Sequence, residues 1–534
     1  MAEDASSNSA QEALFAKIGA VHTAVWSTLA VILIGTLINR LTGLRYPASL
    51  PRIREKKGTT TFSLRTRLAY YTDAKKLYRD AYEQYSKKGK TCLIPGLGFK
   101  TDVIVPGAAI RWITSQPDSV LSYVESALDI DQIEHSVGHR KFVEDGWQST
   151  VLRRDLNSNL ETVAPDVWDE TCAAIDYRFG DSTTKFKTVH LYDSMKLIIA
   201  QASSRFTVSR PLCRNEAYLK NSIEYSDWFV IEAGLIGILP KSWRHYFGST
   251  LALPMRYYEY FIKRELKSTI KERMELLETQ SEGPEPLDHL QMMLKFARKN
   301  RPQEYNVNDM VKRVSISNIG SIHQSSIAIT NAIFNILESD AKYDTIAQIR
   351  TEISEFFAEG GNWTKASIAK MYKLDSIIRE TLRINSFGNR GVMRQVNVDN
   401  LVTEDGFLLP KGAEVSILGH PAATDPDVFP NPDEFDPFRF SRLREASKDS
   451  SSQYAFVSTG PTHLAFGHGK HACPGRFILD FELKMALCAV FGRYELKFPA
   501  EYKGKRPPLK WVAEAQMLPS WGDVVVRKLE EGLC

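Results

Sequence analysis

Phe466-Gly467-His468-Gly469-Lys470-His471-Ala472-Cys473-Pro474-Gly475-Arg476, with the largely apolar run Phe477 to Val490 behind it, decides how the rest of the chain is read. One cysteine stands just ahead of an expected helix start, with Gly469 before it, Gly475 after it and the aromatic Phe466 further upstream. The glycines let the backbone turn tightly and bring amide N–H groups close to the sulfur. The helix N-terminus adds positive potential, and both effects favour a thiolate. An inert buried cysteine in a glycine-rich turn is the bland alternative.

A thiolate held in this way can ligate haem iron, and its electron donation favours O–O cleavage. The pattern Phe-x-x-Gly-x-x-x-Cys-x-Gly, met at Phe466, Gly469, Cys473 and Gly475, resembles the haem-binding signature of the cytochromes P-450, the haem-thiolate monooxygenases. The likeness extends over roughly residues 45 to 530 and is densest in motifs from Asn308 onward. It implies the cytochrome P-450 fold, mainly α with a smaller β part, holding one haem b through Cys473. Dioxygen and NADPH-derived electrons would be the cosubstrates. The chain carries no flavin or nicotinamide fingerprint of its own, so an NADPH-cytochrome P-450 reductase is the expected partner.

Two upstream motifs add to the resemblance. In Arg379-Glu380-Thr381-Leu382-Arg383, Glu380 and Arg383 share one face of an expected helix. Such a pair is usually a solvated surface contact, but the adjoining Leu374, Ile377, Ile378 and Leu382 point to partial burial. It resembles the family's Glu-x-x-Arg, whose third member matches Arg439 in Pro437-Phe438-Arg439-Phe440, and the set implies a scaffold for the haem pocket. By the same resemblance His471 and Arg394 would bind haem propionates. Arg154 is a third candidate, although Trp147 with Arg153 or Arg154 does not meet the family's Trp-x-x-x-Arg spacing.

The helix expected between Val311 and Leu337 should cross the oxygen-binding face. Where the family carries Ala/Gly-Gly-x-Asp/Glu-Thr, this chain has Gly320-Ser321-Ile322-His323-Gln324-Ser325-Ser326. The small pair is kept, His323 replaces the acid, and Gln324 replaces the threonine. An imidazole titrates near neutral pH and can relay protons, whereas an amide only hydrogen-bonds. His323, Gln324 and Ser325 are therefore the candidate catalytic residues, with a water held by Ser325 and Gln324 and recharged through His323. A helix kept polar merely to hold water is the alternative.

Towards the N-terminus, Ile18 to Ile38 is apolar apart from His22 and small hydroxyls, long enough for one bilayer crossing. Glu3, Asp4, Glu12 and Lys17 precede it; Arg40, Arg45, Arg52, Arg54, Lys56 and Lys57 follow, which places the remainder in the cytosol. A cleaved signal peptide would want a basic start and a small-residue cleavage site; a buried helix is the other alternative. The expected organisation is a tail (1–17), a transmembrane anchor (18–38), a basic proline-containing hinge (39–57) and a catalytic domain (58–534), single-pass in the endoplasmic reticulum membrane.

Between these landmarks, Leu64 to Tyr85 and Asp155 to Tyr177 have helical spacing, and Thr91 to Val105 and Ala108 to Ile113 look like short strands or turns. Trp228 to Phe261, dense in aromatics, reads as two core helices and a loop, or by resemblance as the roof of a channel for lipophilic substrates. Period two at Val396/Val398 and at Val415/Ile417 predicts hairpin strands, and Ser441 to Ser452 a polar surface insertion. A net charge of +4 gives no field for nucleic acid. Cys92, Cys172, Cys213, Cys473, Cys488 and Cys534 lack Cys-x-x-Cys spacing, which argues against a disulfide framework or zinc site and for a reducing compartment. The cysteine loop looks most like filamentous-fungal members that tailor terpenoids, polyketides and related secondary metabolites. Two alternatives stand: the same haem fold running desaturation, rearrangement or ring expansion, and a haem-binding or sensor protein without turnover.

Overall fold

A helix of 37 residues, Val307–Tyr343, runs through the molecule, about 56 Å long by its rise per residue. The Asn306 side chain caps its start by accepting from the Asp309 N–H at 3.0 Å, and Asp344 ends it in the left-handed region. The computed structural model describes residues 43–279, 285–447, 452–518 and 521–534, together with Ile34, Leu37 and Leu41. Its principal helices are α1 (Leu64–Thr72), α2 (Ala74–Gln84), α3 (Tyr123–Ile130), α4 (Leu160–Phe179), α5 (Leu191–Thr207), α6 (Glu216–Ile238), α7 (Lys241–Leu251), α8 (Leu253–Thr279), α9 (Val307–Tyr343), α10 (Tyr372–Ile384), α11 (Arg439–Ala446) and α12 (Arg476–Arg493). The main sheet holds β1 (Cys92–Pro95), β2 (Thr101–Val105), β3 (Leu121–Ser122), β4 (Arg390–Val396) and β5 (Glu414–Leu418) in the order β1-β2-β5-β4-β3. The architecture is mainly α with a smaller β part, as the resemblance implies.

Three apolar clusters hold these elements. The first half of α9 packs Val311 and Val314 against Ile223 of α6 and Leu266 of α8. Its second half packs Ile329 and Ile333 with α4, α5, α10 and α12, and α12 is buried without a break from Asp480 to Gly492. A helix apolar on most sides belongs in such an interior. The third cluster lies between the sheet and α2, through Leu77, Tyr78, Val103 and Val415. In the sheet β2 pairs with β5 in parallel, and the other pairings are antiparallel. The β4–β5 register shifts between Gly391 and Arg394, with Val392 at φ 55°, a bulge that re-aims Arg394.

Several segments differ from their sequence reading. The expected surface insertion at Ser441 to Ser452 begins inside α11, whose Ser441 and Arg444 are buried, and Arg444 meets the buried Asp375 of α10 at 3.2 Å. Lys484 of α12, fully buried, completes that network on Asp375 at 2.8 Å. Polar composition there satisfies buried charge rather than facing water. Ala108 to Ile113 belongs to a turn and a helix, Ile110–Ser115, that buries Ile110 and Ile113. The loop expected within Trp228 to Phe261 is the helix α7, with Pro240 as its N-cap and Pro254 in the first turn of α8, positions that tolerate proline. The basic hinge is held in place: Leu50 and Ile53 are buried in the sheet cluster, and the Ile53 N–H donates to Leu93 O at 3.0 Å. The anchor expected at 18–38 lies outside the described residues except for Ile34 and Leu37, and among the described residues no helix is long and apolar enough to cross a membrane.

Candidate active site

The cysteine loop is shaped by its glycines. Gly467 and Gly469 have φ of 66° and 73°, and a Cβ on Gly469 would stand 3.1 Å from Thr114 Cβ. The turn closes when the Cys473 N–H donates to Phe466 O at 2.9 Å. Phe466 is buried edge-on against Phe456, with ring centroids 5.2 Å apart. Gly475 sits at the N-cap of α12, where an added Cβ would make an ordinary contact, 4.0 Å, with the Cys473 sulfur. Burial pushes the Cys473 thiol up, while the backbone N–H groups of Gly475 and Arg476, aimed at the sulfur, favour its charged form. The residue has exposed surface, yet protein encloses it, so the sulfur opens into internal space rather than bulk water.

Arg394 and His471 are brought together around a residue the sequence did not single out. Tyr123, at the start of α3, stacks on the His471 ring with centroids 4.7 Å apart, and the Arg394 guanidinium lies 5.5 Å from the centre of the Tyr123 ring. Tyr123 also feels the charges of Arg394 and Cys473. Arg394 is buried, donates to Met393 O at 2.7 Å and has no ion pair among the described residues. His471 Nε2 lies 3.2 Å from Asp118 Oδ1. A sulfur open to internal space with a buried, uncompensated guanidinium nearby fits a thiolate-ligated haem carrying two propionates. Arg154 is apart from this group: its side chain is 63% exposed and pairs with Asp155 at 2.6 Å. Trp147 is a core residue, donating from Nε1 to Glu304 at 3.0 Å beneath the Arg313 guanidinium.

The Glu380 carboxylate is fully buried. Arg383 donates to both of its oxygens at 2.7 Å, from Nε and Nη2, and Arg439 Nε adds a third bond at 3.1 Å. Further guanidinium bonds reach backbone carbonyls of the 423–434 segment: Arg383 Nη1 donates to Ala423 and Pro432, Arg439 Nη1 to Pro430, and Nη2 of both arginines to Glu434. The network therefore ties α10 and α11 to that segment with its charge satisfied.

On α9 the three candidate residues point different ways, because successive positions on a helix differ by about 100°. Gln324 is exposed on a face with Gly320, whose absent Cβ would meet nothing within 4 Å. The imidazole of His323 is turned to α6, with Nδ1 2.9 Å from Asp227 Oδ1, and Lys196 of α5 lies 3.4 Å from the other Asp227 oxygen. Ser325 is buried on another side, which removes it from the water site expected with Gln324. Neither Asp227 nor Tyr123 has a local signal in the sequence. Only contacts between distant segments reveal them.

Comparison with known proteins agrees with this geometry. A family model described as Cytochrome P450 matches residues 139–520. Cytochrome P450 monooxygenase pbrC of Penicillium brasilianum is 42% identical over 91% of this chain and 92% of its own length. Cytochrome P450 monooxygenase astC of Aspergillus terreus is 40% identical over 95% of this chain and 97% of its own, and tenB of Beauveria bassiana, of the same description, 38% over 90% and 92%. Likeness of that extent, on a chain whose cysteine loop and buried glutamate network are already assembled, means that this protein belongs to the cytochrome P450 family and is a haem-thiolate monooxygenase.

Proposed function

We propose that the chain inserts one oxygen atom from dioxygen into a lipophilic fungal secondary metabolite, a terpenoid, polyketide or similar compound, with electrons passed from NADPH by a cytochrome P-450 reductase. The observation that carries this is the Cys473 sulfur, open to internal space at the start of α12, with α9 packed along α12 and its Gly320–Gln324 face left open. Haem, when bound, supplies the activation of dioxygen. Cys473 would be its ligand, Arg394 and His471 would hold the propionates, and Phe466, Gly469 and Gly475 shape the loop. Gly320 leaves room on α9, Gln324 offers an amide to a water or substrate, and Asp227 holds His323 in one orientation. The test is reconstitution with the reductase and candidate metabolites, reading a product heavier by one oxygen atom. NADPH use unmoved by every lipophilic candidate would favour a sensor without turnover.

His323→Ala should lower product formed per NADPH and raise peroxide release by on the order of 10-fold. That is less than the ~100-fold or more of a general acid acting directly, because the imidazole faces Asp227. Asp227→Asn should move coupling in the same direction. Unchanged coupling in both variants removes His323 from the proton path. Gln324→Thr should keep the product if the reaction is hydroxylation; a switched product favours desaturation, rearrangement or ring expansion, to which an exposed Gln324 would then be adapted.

We further propose that the protein is anchored through 18–38 with its catalytic domain on the cytosolic face of the endoplasmic reticulum. An apolar surface supports this: Leu64 and Leu68 on α1, Leu235 and Ile238 on α6, and Tyr246 and Phe247 on α7 are all exposed. The α1 and α6 patches adjoin through Gly98, which donates to the Tyr71 hydroxyl at 2.8 Å and whose Cβ position is 2.6 Å from Ile238 O. Contiguous exposed apolar area of this kind marks a membrane or partner surface. The exposed Asn362 in Asn362-Trp363-Thr364 reports the orientation. It should stay unmodified in cells, and a glycosidase-sensitive mass shift lost in Asn362→Gln would place the domain in the lumen instead.

A further inference from the structure

Asp131 directly follows α3 and shares a face with Tyr123 and Ala127 at four-residue steps. Most buried acids of this protein meet a cation: Glu380 meets Arg383, Asp375 meets Lys484, Asp288 meets Arg273, and Asp102 meets Arg390. The Asp131 carboxylate has neither a hydrogen bond nor an ion pair among the described residues. Its residue surface is only partly covered, yet protein surrounds it, so like the Cys473 sulfur it opens into internal space. Burial alone pushes its pKa up to about 6, which leaves it largely ionised at neutral pH.

The position of that space follows from Tyr123. Tyr123 and Asp131 are eight residues apart on one face of α3, so about 12 Å of helix separates the backbone of the carboxylate from that of the ring stacked on His471. Helix α3 touches β4 and α6, and its end near Asp131 is next to α7, since Asp129 pairs with Arg244 there at 2.7 Å. An unpartnered carboxylate in an enclosed site carries a desolvation penalty that a ligand donor relieves. An apolar ligand without such a donor would leave the penalty standing.

We propose that Asp131 is the polar anchor of the substrate cavity: its carboxylate accepts a hydrogen bond from a donor group, cationic or neutral, on an otherwise apolar substrate. The proposal rests on the reading of this site as that of a haem-thiolate monooxygenase. It makes Asp131 a specificity-determining residue, since anionic lipophiles of the same size are rejected by charge and donor-free ones lose the hydrogen bond.

The test uses the full-length holoenzyme and four probes of one chain length: N,N-dimethyldodecylamine, dodecanol, dodecyl methyl ether and dodecanoate. Binding is read by calorimetry and by the shift of the haem absorption band. The wild-type protein should bind the protonated amine about 10- to 100-fold more tightly than the ether, with dodecanol between them and dodecanoate weakest. In Asp131→Asn, which keeps the shape of the side chain, and in Asp131→Leu, the amine preference should collapse and dodecanoate should gain. An amine-to-ether ratio unchanged in either variant overturns the anchor, as does its absence in the wild type. The heat of binding needs no haem. An amine preference without a thiolate-type spectrum would therefore support the anchor and overturn the haem reading, while the spectrum without the preference overturns the anchor alone.

Discussion

Glu380→Ala is expected to lower folding stability by about 3 to 5 kcal/mol and to strip most of the haem from the protein. The carboxylate it removes is wholly buried and takes three donors from two arginines, which are themselves nearly inaccessible. Without it Arg383 and Arg439 keep their carbonyl partners but face each other as uncompensated charges. The 423–434 segment they bind would loosen with them, and it leads towards α11 and the Cys473 loop. Glu380→Gln tests the cause, since the amide keeps the volume but restores neither the charge nor both acceptors. Haem content per chain and thermal unfolding read the result, and a Glu380→Ala protein with full haem and wild-type unfolding would show that the network does not hold the pocket.

The second large effect belongs to the sulfur. Cys473→Ala should abolish turnover and the thiolate-type spectrum while leaving the polypeptide folded, because the loop is closed by the Cys473 N–H and not by its side chain. No other cysteine can take its place. Burial pushes the thiols of Cys172 and Cys213 up to about 12 and that of Cys534 to about 11, and neither backbone amides nor a helix start offset it there. Cys172→Ser and Cys534→Ser should accordingly keep the wild-type spectrum, measured as absorbance per mole of haem. Loss of the thiolate-type band in either of them, or its persistence in Cys473→Ala, would assign the ligand elsewhere.

What could be read from the chain was what is local. The cysteine loop is legible because glycines at fixed offsets and a helix start leave their mark within a dozen residues. The pairing of Glu380 with Arg383 is legible because one helical turn brings them together, and Arg439 because its motif is short. The rest depends on contacts between distant segments. Arg444 reads as solvated because nothing near it in sequence announces the buried Asp375 it pairs with. The basic stretch around Arg52 looked free because its partner is a backbone edge at Leu93. His323 could be placed on α9, but its orientation towards Asp227 of α6 could not. A one-residue step on α9 rotates a side chain by about 100°, so the exposed Gln324 and the buried Ser325 face different ways. Tyr123 opens a short helix that Asp131 follows, and the groups its ring meets, Arg394 and His471, are hundreds of residues away.

The claim on which all of this turns is that Cys473 holds haem as a thiolate. Reducing the wild-type protein under carbon monoxide tests it in one spectrum. A strongly red-shifted absorption band, absent from Cys473→Ala prepared in the same way, is the result predicted. A band at the position given by histidine-ligated haem, in freshly prepared and fully folded wild-type protein, would contradict it.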